Sequence, residues 1–102
     1  MEIVRVTYTT KVEFSEQNKS NIKIVMKDLR NERYQGINYQ VCLSVDNTAF
    51  IHTAFFQSDA DRKLLSALPS FQFFQEQIKA GPLAVQPKQE YFTLIGSSKN
   101  IF

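Results

Sequence analysis

The spacing of apolar residues changes in a fixed order along the chain, and this order constrains the fold more than any other feature. Residues 3–10 and 37–45 alternate apolar and polar side chains, which is typical of strands whose two faces meet different surroundings. Between them, apolar residues recur at the spacing of one helix face. This helical stripe consists of Ile22, Val25, Met26 and Leu29. The apolar pattern in the first half of the chain therefore predicts a strand, a helix and a second strand, in that order.

The second half repeats this order after a tight turn. Asp-Asn-Thr at 46–48 is turn chemistry, so 49–57 is predicted to be the hairpin partner of the preceding strand. Ser58 is predicted to cap the next helix with Asp61 at its third position, and Pro69 is predicted to kink or restart that helix. Apolar residues continue through Phe74 and Ile78. A last strand is predicted at 90–98.

Two further local features are predicted in the first half. Ser15 is expected to be the N-cap of the first helix, with Glu16 in its first turn. Gly36 is expected to end the segment after this helix with a positive φ.

The order β-α-β-β-α-β predicts an α+β, ferredoxin-like fold, in which two helices cover one face of an antiparallel sheet. The length of 102 residues fits a single domain spanning 1–102. The other face of the sheet has no helix to cover it. A second copy of the chain could cover it, and two such sheets facing each other would form an α+β barrel.

Charge and cysteine content exclude several classes of protein. The net charge is only +2, from 12 Lys and Arg against 10 Asp and Glu spread along the chain, so we expect no nucleic-acid or membrane partner. Cys42 is the only cysteine and can form no internal disulfide. The N-terminus lacks the pattern of a signal peptide, and no apolar run reaches the roughly 20 residues of a membrane span. We therefore expect a cytoplasmic protein.

His52, the only histidine, lies in the stretch TAFIHTAFFQ and is the candidate general base, because imidazole titrates near neutral pH. Ile51, Thr53 and Phe55 could pack under the helices without burying an imidazole, so His52 is predicted to lie on the uncovered face. There it would have Phe50, Phe56, Arg5, Asn38, Gln40 and Cys42 as neighbours. The candidate site residues are His52 as the general base, with Arg5, Asn38, Gln40, Phe50, Phe56 and Phe74 as ligand-binding residues.

Two alternatives to a catalytic centre stay open at this point. His52 could be a hydrogen-bonded strand histidine at a cavity or subunit interface, and Cys42 is more often a small apolar residue than a nucleophile. With one His, one Cys and no clustered carboxylates, we expect neither a metal site nor a cofactor.

The chain resembles the antibiotic-biosynthesis-monooxygenase-like group of dimeric α+β barrel proteins. The resemblance spans nearly the whole sequence and is most specific at FIHTAFFQSDADRKLLSALPSFQFFQEQIK, where a strand ending in Phe56 meets a Ser58-Asp59 cap and a helix interrupted at LPSF. It implies a homodimer with a ligand cavity between sheet and helices in each protomer. Some members of the group are cofactor-free monooxygenases of polycyclic aromatic or quinol substrates, others degrade haem, and others have no assigned activity.

The sequence departs from the better-understood members at specific positions. Haem-degrading members carry a Trp at the strand end and a His in the second helix, where this chain has Phe56 and, near the helix position, Phe74 or Gln75. Haem degradation is therefore not expected. The Asn and Trp associated with oxygenase chemistry find no match in the first strand, which has Thr7 and Thr9. Two hypotheses result: a cofactor-independent monooxygenase of a small hydrophobic compound, or a non-catalytic dimeric module that binds a small molecule or only stabilises its assembly.

Overall fold

A computed structural model describes residues 1–102 and shows a four-stranded antiparallel sheet with helices on one face. The strands lie in the order β2-β3-β1-β4. This is the predicted ferredoxin-like α+β arrangement. In chain order the elements are β1 (Glu2–Thr10), α1 (Val12–Leu29), a short 3-10 turn (Glu32–Tyr34), β2 (Ile37–Leu43), β3 (Ala49–Phe56), α2 (Asp59–Ala67), α3 (Pro69–Ala80) and β4 (Leu83–Phe92).

The register of the sheet decides which side chains face the helices. Val6 lies opposite His52 on β3, and His52 lies opposite Val41 on β2. Residues directly opposite on adjacent strands project from the same face of a sheet. Since Val6 and Val41 pack against the core under the helices, His52 does too. The prediction that His52 lies on the uncovered face is therefore wrong.

The core lies between the helices and this face of the sheet. Tyr8, Phe50 and Val25 are each only 2% exposed. The apolar stripe predicted for the first helix is confirmed, because Ile22 and Val25 are buried and Met26 and Leu29 pack beside them. The full buried cluster consists of Tyr8, Ile22, Val25, Phe50, Ala54, Phe56, Leu65, Leu68 and Phe74.

The chain turns between elements largely as its residues predict. Asn47 in the hairpin turn has a φ of 63°, a left-handed conformation that Asn tolerates. Ser58 and Asp61 form a reciprocal capping box at the start of α2. Pro69 begins α3, so the predicted interruption of the second helical segment is confirmed.

Three local predictions are wrong. Helix α1 begins at Val12 after Lys11, so Ser15 lies inside the helix and caps nothing. Gly36 has no positive φ; a Cβ there would displace the Asp61 carboxylate, which forms the capping box with Ser58. The last strand is Leu83–Phe92 rather than 90–98.

The early start of β4 has a physical explanation. It is an edge strand that pairs only with β1, and most of its residues are exposed. An edge strand tolerates Pro87 and polar residues, so it shows little of the apolar alternation of a buried strand. None of the helices has the length and apolar character required to cross a membrane.

Candidate functional site

A cleft opens between the helices and the edge strand β4, with β1 and β3 as its floor. It consists of two adjoining hollows of about 220 and 380 Å³ that share six lining residues. The shared residues are Val6, Tyr39, His52, Phe71, Gln75 and Gln89. A space of this size exceeds a single water molecule, whose share of liquid volume is about 30 Å³.

The cleft exists because the helices cover β4 incompletely. Gln89 of β4 lies opposite Val6, so its side chain is on the helix-facing side of the sheet, yet Gln89 is exposed. Phe71 and Gln75 on α3 form the opposite wall. The cleft is therefore walled by the edge strand on one side and by α3 on the other.

Both ring nitrogens of His52 are hydrogen-bonded to tyrosine hydroxyls. Nε2 lies 2.8 Å from the Tyr8 hydroxyl and Nδ1 lies 2.6 Å from the Tyr39 hydroxyl. The Tyr8 oxygen also accepts a hydrogen bond of 2.8 Å from Nδ2 of Asn18 on α1. Asn18 and His52 are buried, and Tyr39 reaches the cleft. Four residues thus form one hydrogen-bonded chain from helix α1 to the cleft.

Burial sets the protonation state of this chain. It lowers the pKa of His52 to about 3, because the charged imidazolium would lose its hydration. The same cause raises the pKa values of Tyr8 and Tyr39 well above the ordinary value of a phenol. At neutral pH the imidazole and both phenols are therefore uncharged.

Aromatic rings hold the imidazole in place. Phe74 of α3 stacks on His52 with ring centroids 5.2 Å apart, and Tyr39 meets the imidazole edge-on at 5.7 Å. Phe71 in turn packs edge-on against Tyr39 at 6.1 Å. His52 on β3 and Tyr39 on β2 are thus both packed against rings of α3. Because α3 begins at Pro69, the break at this residue sets the direction of α3 and so helps to position the site.

Charged residues lie at the end of the cleft near α2. The Arg62 guanidinium binds Asp59 and lies 3.7 Å from the carboxylate of Glu2 on β1. The hydrogen bond from Arg62 holds the pKa of the exposed Asp59 below its usual value. Arg62 and Glu2 both line the cleft. This end of the cleft therefore carries one cation, Arg62, with the carboxylates of Asp59 and Glu2 beside it.

The sheet separates the predicted site residues into two groups. His52, Phe56 and Phe74 lie on the helix-facing side, where Phe56 lines the cleft. Phe50 is on the same side but stacks on Tyr8, beside a different hollow of about 290 Å³ under α1. These four residues therefore lie together on the helix-facing side, and the remaining three do not.

Arg5, Asn38 and Gln40 lie on the uncovered face, away from His52. The Arg5 guanidinium sits 4.7 Å above the ring of Phe92. Asn38 donates a 2.7 Å hydrogen bond to the carbonyl of Ile101, and Gln40 donates one to Asn38. The single surface predicted to join these residues to His52 does not exist, because the backbone of the sheet lies between them. Cys42 is exposed and free.

Sequence reasoning missed the polar partners of His52. Tyr8 and Tyr39 lie in predicted strands, and a buried tyrosine needs a partner for its hydroxyl. Asn18 falls on the buried face of α1, four residues before Ile22 and four after Phe14. A polar residue on an apolar helix face indicates a buried hydrogen bond, because buried polar groups are nearly always hydrogen-bonded. Asn18 could therefore have pointed to a polar partner on the sheet. The same structure brings no group of three or more His, Cys, Asp or Glu side chains together.

No protein-family model and no curated protein matches the sequence. Solved structures do match the fold closely. A protein of Nitrosomonas europaea described as an antibiotic biosynthesis monooxygenase superimposes with a TM-score of 0.77 at 14% identity, covering 92% of this chain and 89% of that one. A protein of Deinococcus radiodurans with the same description gives a TM-score of 0.74 at 18% identity, covering 100% and 99%.

A third such protein, from Caulobacter crescentus, gives a TM-score of 0.77 at 13% identity over 93% of this chain and 90% of that one. The chain is thus a ferredoxin-like α+β protein with a cleft between helices and sheet. More narrowly, it has the fold of the antibiotic biosynthesis monooxygenase group, so the resemblance inferred from sequence is confirmed at the level of the fold.

Proposed function

We propose that the chain is a cofactor-independent monooxygenase-like enzyme acting on a small, hydrophobic, oxygen-bearing aromatic compound. The observation that carries the proposal is Tyr39, which lines the cleft beside Phe71 and whose hydroxyl is hydrogen-bonded to His52. Apolar walls with a few placed polar groups are typical of small-molecule sites. The fold shared with the monooxygenase-named structures supports the same class.

An anthrone-type substrate can react with O₂ without a cofactor, and the atoms and electrons of this reaction balance. The substrate loses a proton from its CH₂ group to solvent, the resulting enolate reduces O₂ by two electrons as a C–O bond forms, and a proton from solvent completes the C–OOH group. Loss of water from the hydroperoxide leaves a quinone carbonyl, so one oxygen atom enters the product and the other leaves as H₂O. The substrate supplies all four electrons, two as the hydroperoxide forms and two as water is eliminated with the second C–H proton, and the protein binds and stabilises the enolate oxygen.

His52 acts in this proposal through Tyr39. Its imidazole borders the cleft, but both nitrogens are bonded to tyrosines, and a pKa of about 3 makes it a weak base. In this proposal His52 therefore orients the Tyr39 hydroxyl, whereas the general-base role predicted from sequence would require a ring nitrogen without a tyrosine partner. Phe56 and Phe74 shape the cleft and hold the imidazole.

Oxygen consumption tests the proposal. We expect anthrones or quinols incubated aerobically with the protein to consume O₂ faster than in buffer, and Tyr39→Phe to lower kcat/KM at least about tenfold by removing one hydrogen bond to a charged oxygen. Tyr34→Phe is the matched control, because Tyr34 lies outside the cleft and its hydroxyl has no partner in the chain of hydrogen bonds. Absence of O₂ uptake with every compound would contradict the enzyme assignment.

A second candidate function has its own supporting observation. No free nitrogen of His52 faces the cleft, as would be expected if the site only binds a small apolar molecule. Saturable binding of the same compounds without O₂ consumption would favour this non-catalytic module.

We further propose that the chain is a cytoplasmic homodimer in which the uncovered sheet faces of two copies pack together. The charged residues of this face, Arg5, Lys88 and Glu90, lie on β1 and the edge strand β4, and partly exposed apolar residues such as Phe55 and Phe92 lie on it as well. Light scattering at micromolar concentration should give twice the mass of 11.8 kDa. Thr53→Arg, at the centre of this face, should give the monomer mass, whereas Ser20→Arg on the exposed side of α1 should not. A monomeric wild type would contradict the assembly.

A further inference from the structure

We propose that Asn18, Tyr8, His52 and Tyr39 form a one-directional hydrogen-bond chain that presents a donor to the cleft, so that the site selects ligands offering an acceptor oxygen, either a carbonyl or a phenolate. This inference rests on the proposed function in one respect: it takes the cleft as the ligand site. It adds the chemical feature by which a ligand is recognised, and it assigns Asn18 and Tyr8 as positioning residues.

The direction of the chain is set at its buried end. The Asn18 amide nitrogen can only donate, and it donates to the Tyr8 oxygen at 2.8 Å. Tyr8 is only 2% exposed and its oxygen has one other hydrogen-bond partner, Nε2 of His52 at 2.8 Å, so the hydroxyl proton is paired only when it points to that nitrogen. Nε2 is therefore the acceptor nitrogen of the imidazole.

The second step transfers this direction across the ring. A neutral imidazole carries one proton, so when Nε2 accepts, Nδ1 holds the hydrogen. Nδ1 then donates to the Tyr39 oxygen, 2.6 Å away. Burial of His52, which is 4% exposed, keeps the ring neutral and so preserves the arrangement.

The third step leaves one proton for the ligand. The Tyr39 oxygen is occupied as an acceptor by His52, and its own hydrogen has no other protein partner. Tyr39 lines both hollows of the cleft. Hydrogen bonds arranged head to tail polarise one another, so the last donor is strengthened by those behind it. The cleft therefore offers a strong donor at this position.

The orientation of the Asn18 amide determines whether Tyr39 presents a hydrogen-bond donor or an acceptor to the cleft. Its Oδ1 is buried without a hydrogen-bond partner, so only the contact of Nδ2 with Tyr8 defines the orientation of the amide. A reversed amide would accept from Tyr8, every hydrogen bond along the chain would reverse, and Tyr39 would present an acceptor. The protonation preference of a bound phenol thus reports the direction.

Charged groups around the cleft act on a bound anion as well. Besides the tyrosines of the chain, the titratable and charged residues facing the cleft from the surrounding elements are Glu2 of β1, Arg62 of α2, Lys79 of α3 and Tyr91 of β4. They are present in both the wild type and the variants below, so differences between these proteins isolate the contribution of the hydrogen-bond chain.

The probe is 4-nitrophenol, whose phenolate absorbs visible light while the phenol does not. It is titrated into the protein without oxygen at several pH values. We expect the wild type to bind the phenolate about tenfold or more tightly than the phenol, since a hydrogen bond to a charged group is worth that much, and hence to lower the pKa of the bound dye. Tyr39→Phe should abolish this preference.

Two further variants separate positioning from simple packing. Asn18→Leu keeps the volume of the side chain but removes the donor that fixes the direction, so the phenolate preference should fall several-fold while the dye still binds. Tyr34→Phe, which removes a hydroxyl outside the cleft, should behave as the wild type. Circular dichroism of each variant checks that it is folded, and the dye pKa in the wild type tests the inference even where a variant is not.

The outcomes distinguish this inference from the proposed function. A bound dye whose pKa is unchanged or raised in the wild type, or shifted equally in folded Tyr39→Phe, overturns the donor chain. O₂ consumption with anthrones could still occur in that case. A lowered dye pKa without any O₂ consumption supports the donor chain and contradicts the monooxygenase. Failure of the dye to bind in either form overturns the inference, because a donor in an accessible cleft must bind a phenolate.

Discussion

The two faces of β3 carry similar side chains but have different surroundings. Phe50 and His52 point to the helices and are 2% and 4% exposed, whereas Ile51 and Phe55 point to the uncovered face and are only partly buried. The more polar of the two faces is thus the one that is closed. It can be closed because Tyr8 and Tyr39 satisfy both nitrogens of His52. Polarity within one strand does not identify its solvent side when adjacent strands supply hydrogen-bond partners.

The largest expected difference between the faces is in packing. Phe50→Ala should lower the free energy of unfolding by about 3–5 kcal/mol, because it leaves a cavity in the closed core. Phe55→Ala on the uncovered face should cost less than half as much, since that side chain keeps some contact with solvent in the folded chain. Urea denaturation followed by circular dichroism measures both losses.

The two alanine variants also control for each other, because they remove the same side chain from the same strand. Equal losses would contradict the difference between the faces. They would mean that the uncovered face is packed in solution as tightly as the face under the helices, and light scattering on the same samples would show whether a second copy of the chain is responsible.

The second expected difference is in pH dependence, because only the closed face holds a histidine. The pKa of His52 is about 3 in the folded protein against 6.5 when exposed, so the unfolded chain binds one more proton between these values. Stability should therefore be complete above about pH 6.5 and fall by about 1.4 kcal/mol for each pH unit below that, as the pH approaches 3.

Urea midpoints from pH 7 to 4.5 measure this loss with little contribution from carboxylates, which titrate mostly at lower pH. His52→Gln is the matched control, since glutamine can hydrogen-bond but does not titrate. Its stability should be nearly constant over the same range. A wild-type profile as flat as that of His52→Gln would show that the imidazole is accessible to protons in the folded chain.

The sequence predicted the features that depend on nearby residues. The capping box of Ser58 and Asp61, the turn at Asn47 and the break at Pro69 each follow from a few adjacent residues, and the structure has all three. The order of elements followed from the apolar periods. Ser15 is not the cap because α1 begins one turn earlier, after Lys11, whose side chain makes no capping hydrogen bond, and the buried Phe14 belongs to this added turn.

The arrangement of the candidate site depends on contacts between distant residues, which explains why the sequence did not predict it. His52 contacts Tyr8, which is 44 positions away, and Asn18 reaches the same hydroxyl from a different element. These contacts follow from the register of three strands and from the packing of α1, neither of which the alternation within β3 contains. Alternation yields two sets of residues but not the face to which each belongs.

The smallest expected difference concerns single hydroxyl groups on the two faces. Tyr8→Phe should destabilise the protein by about 1–3 kcal/mol, because it leaves Nε2 of His52 and the Asn18 amide buried without a partner. Thr53→Val removes a hydroxyl from the uncovered face, where it has no hydrogen bond to another side chain, and should change stability by less than about 0.5 kcal/mol. Both substitutions nearly conserve volume, so packing changes little in either. If urea denaturation gave the same small effect for both, the hydroxyl of Tyr8 would not be holding the imidazole, and the closed face would tolerate His52 for another reason.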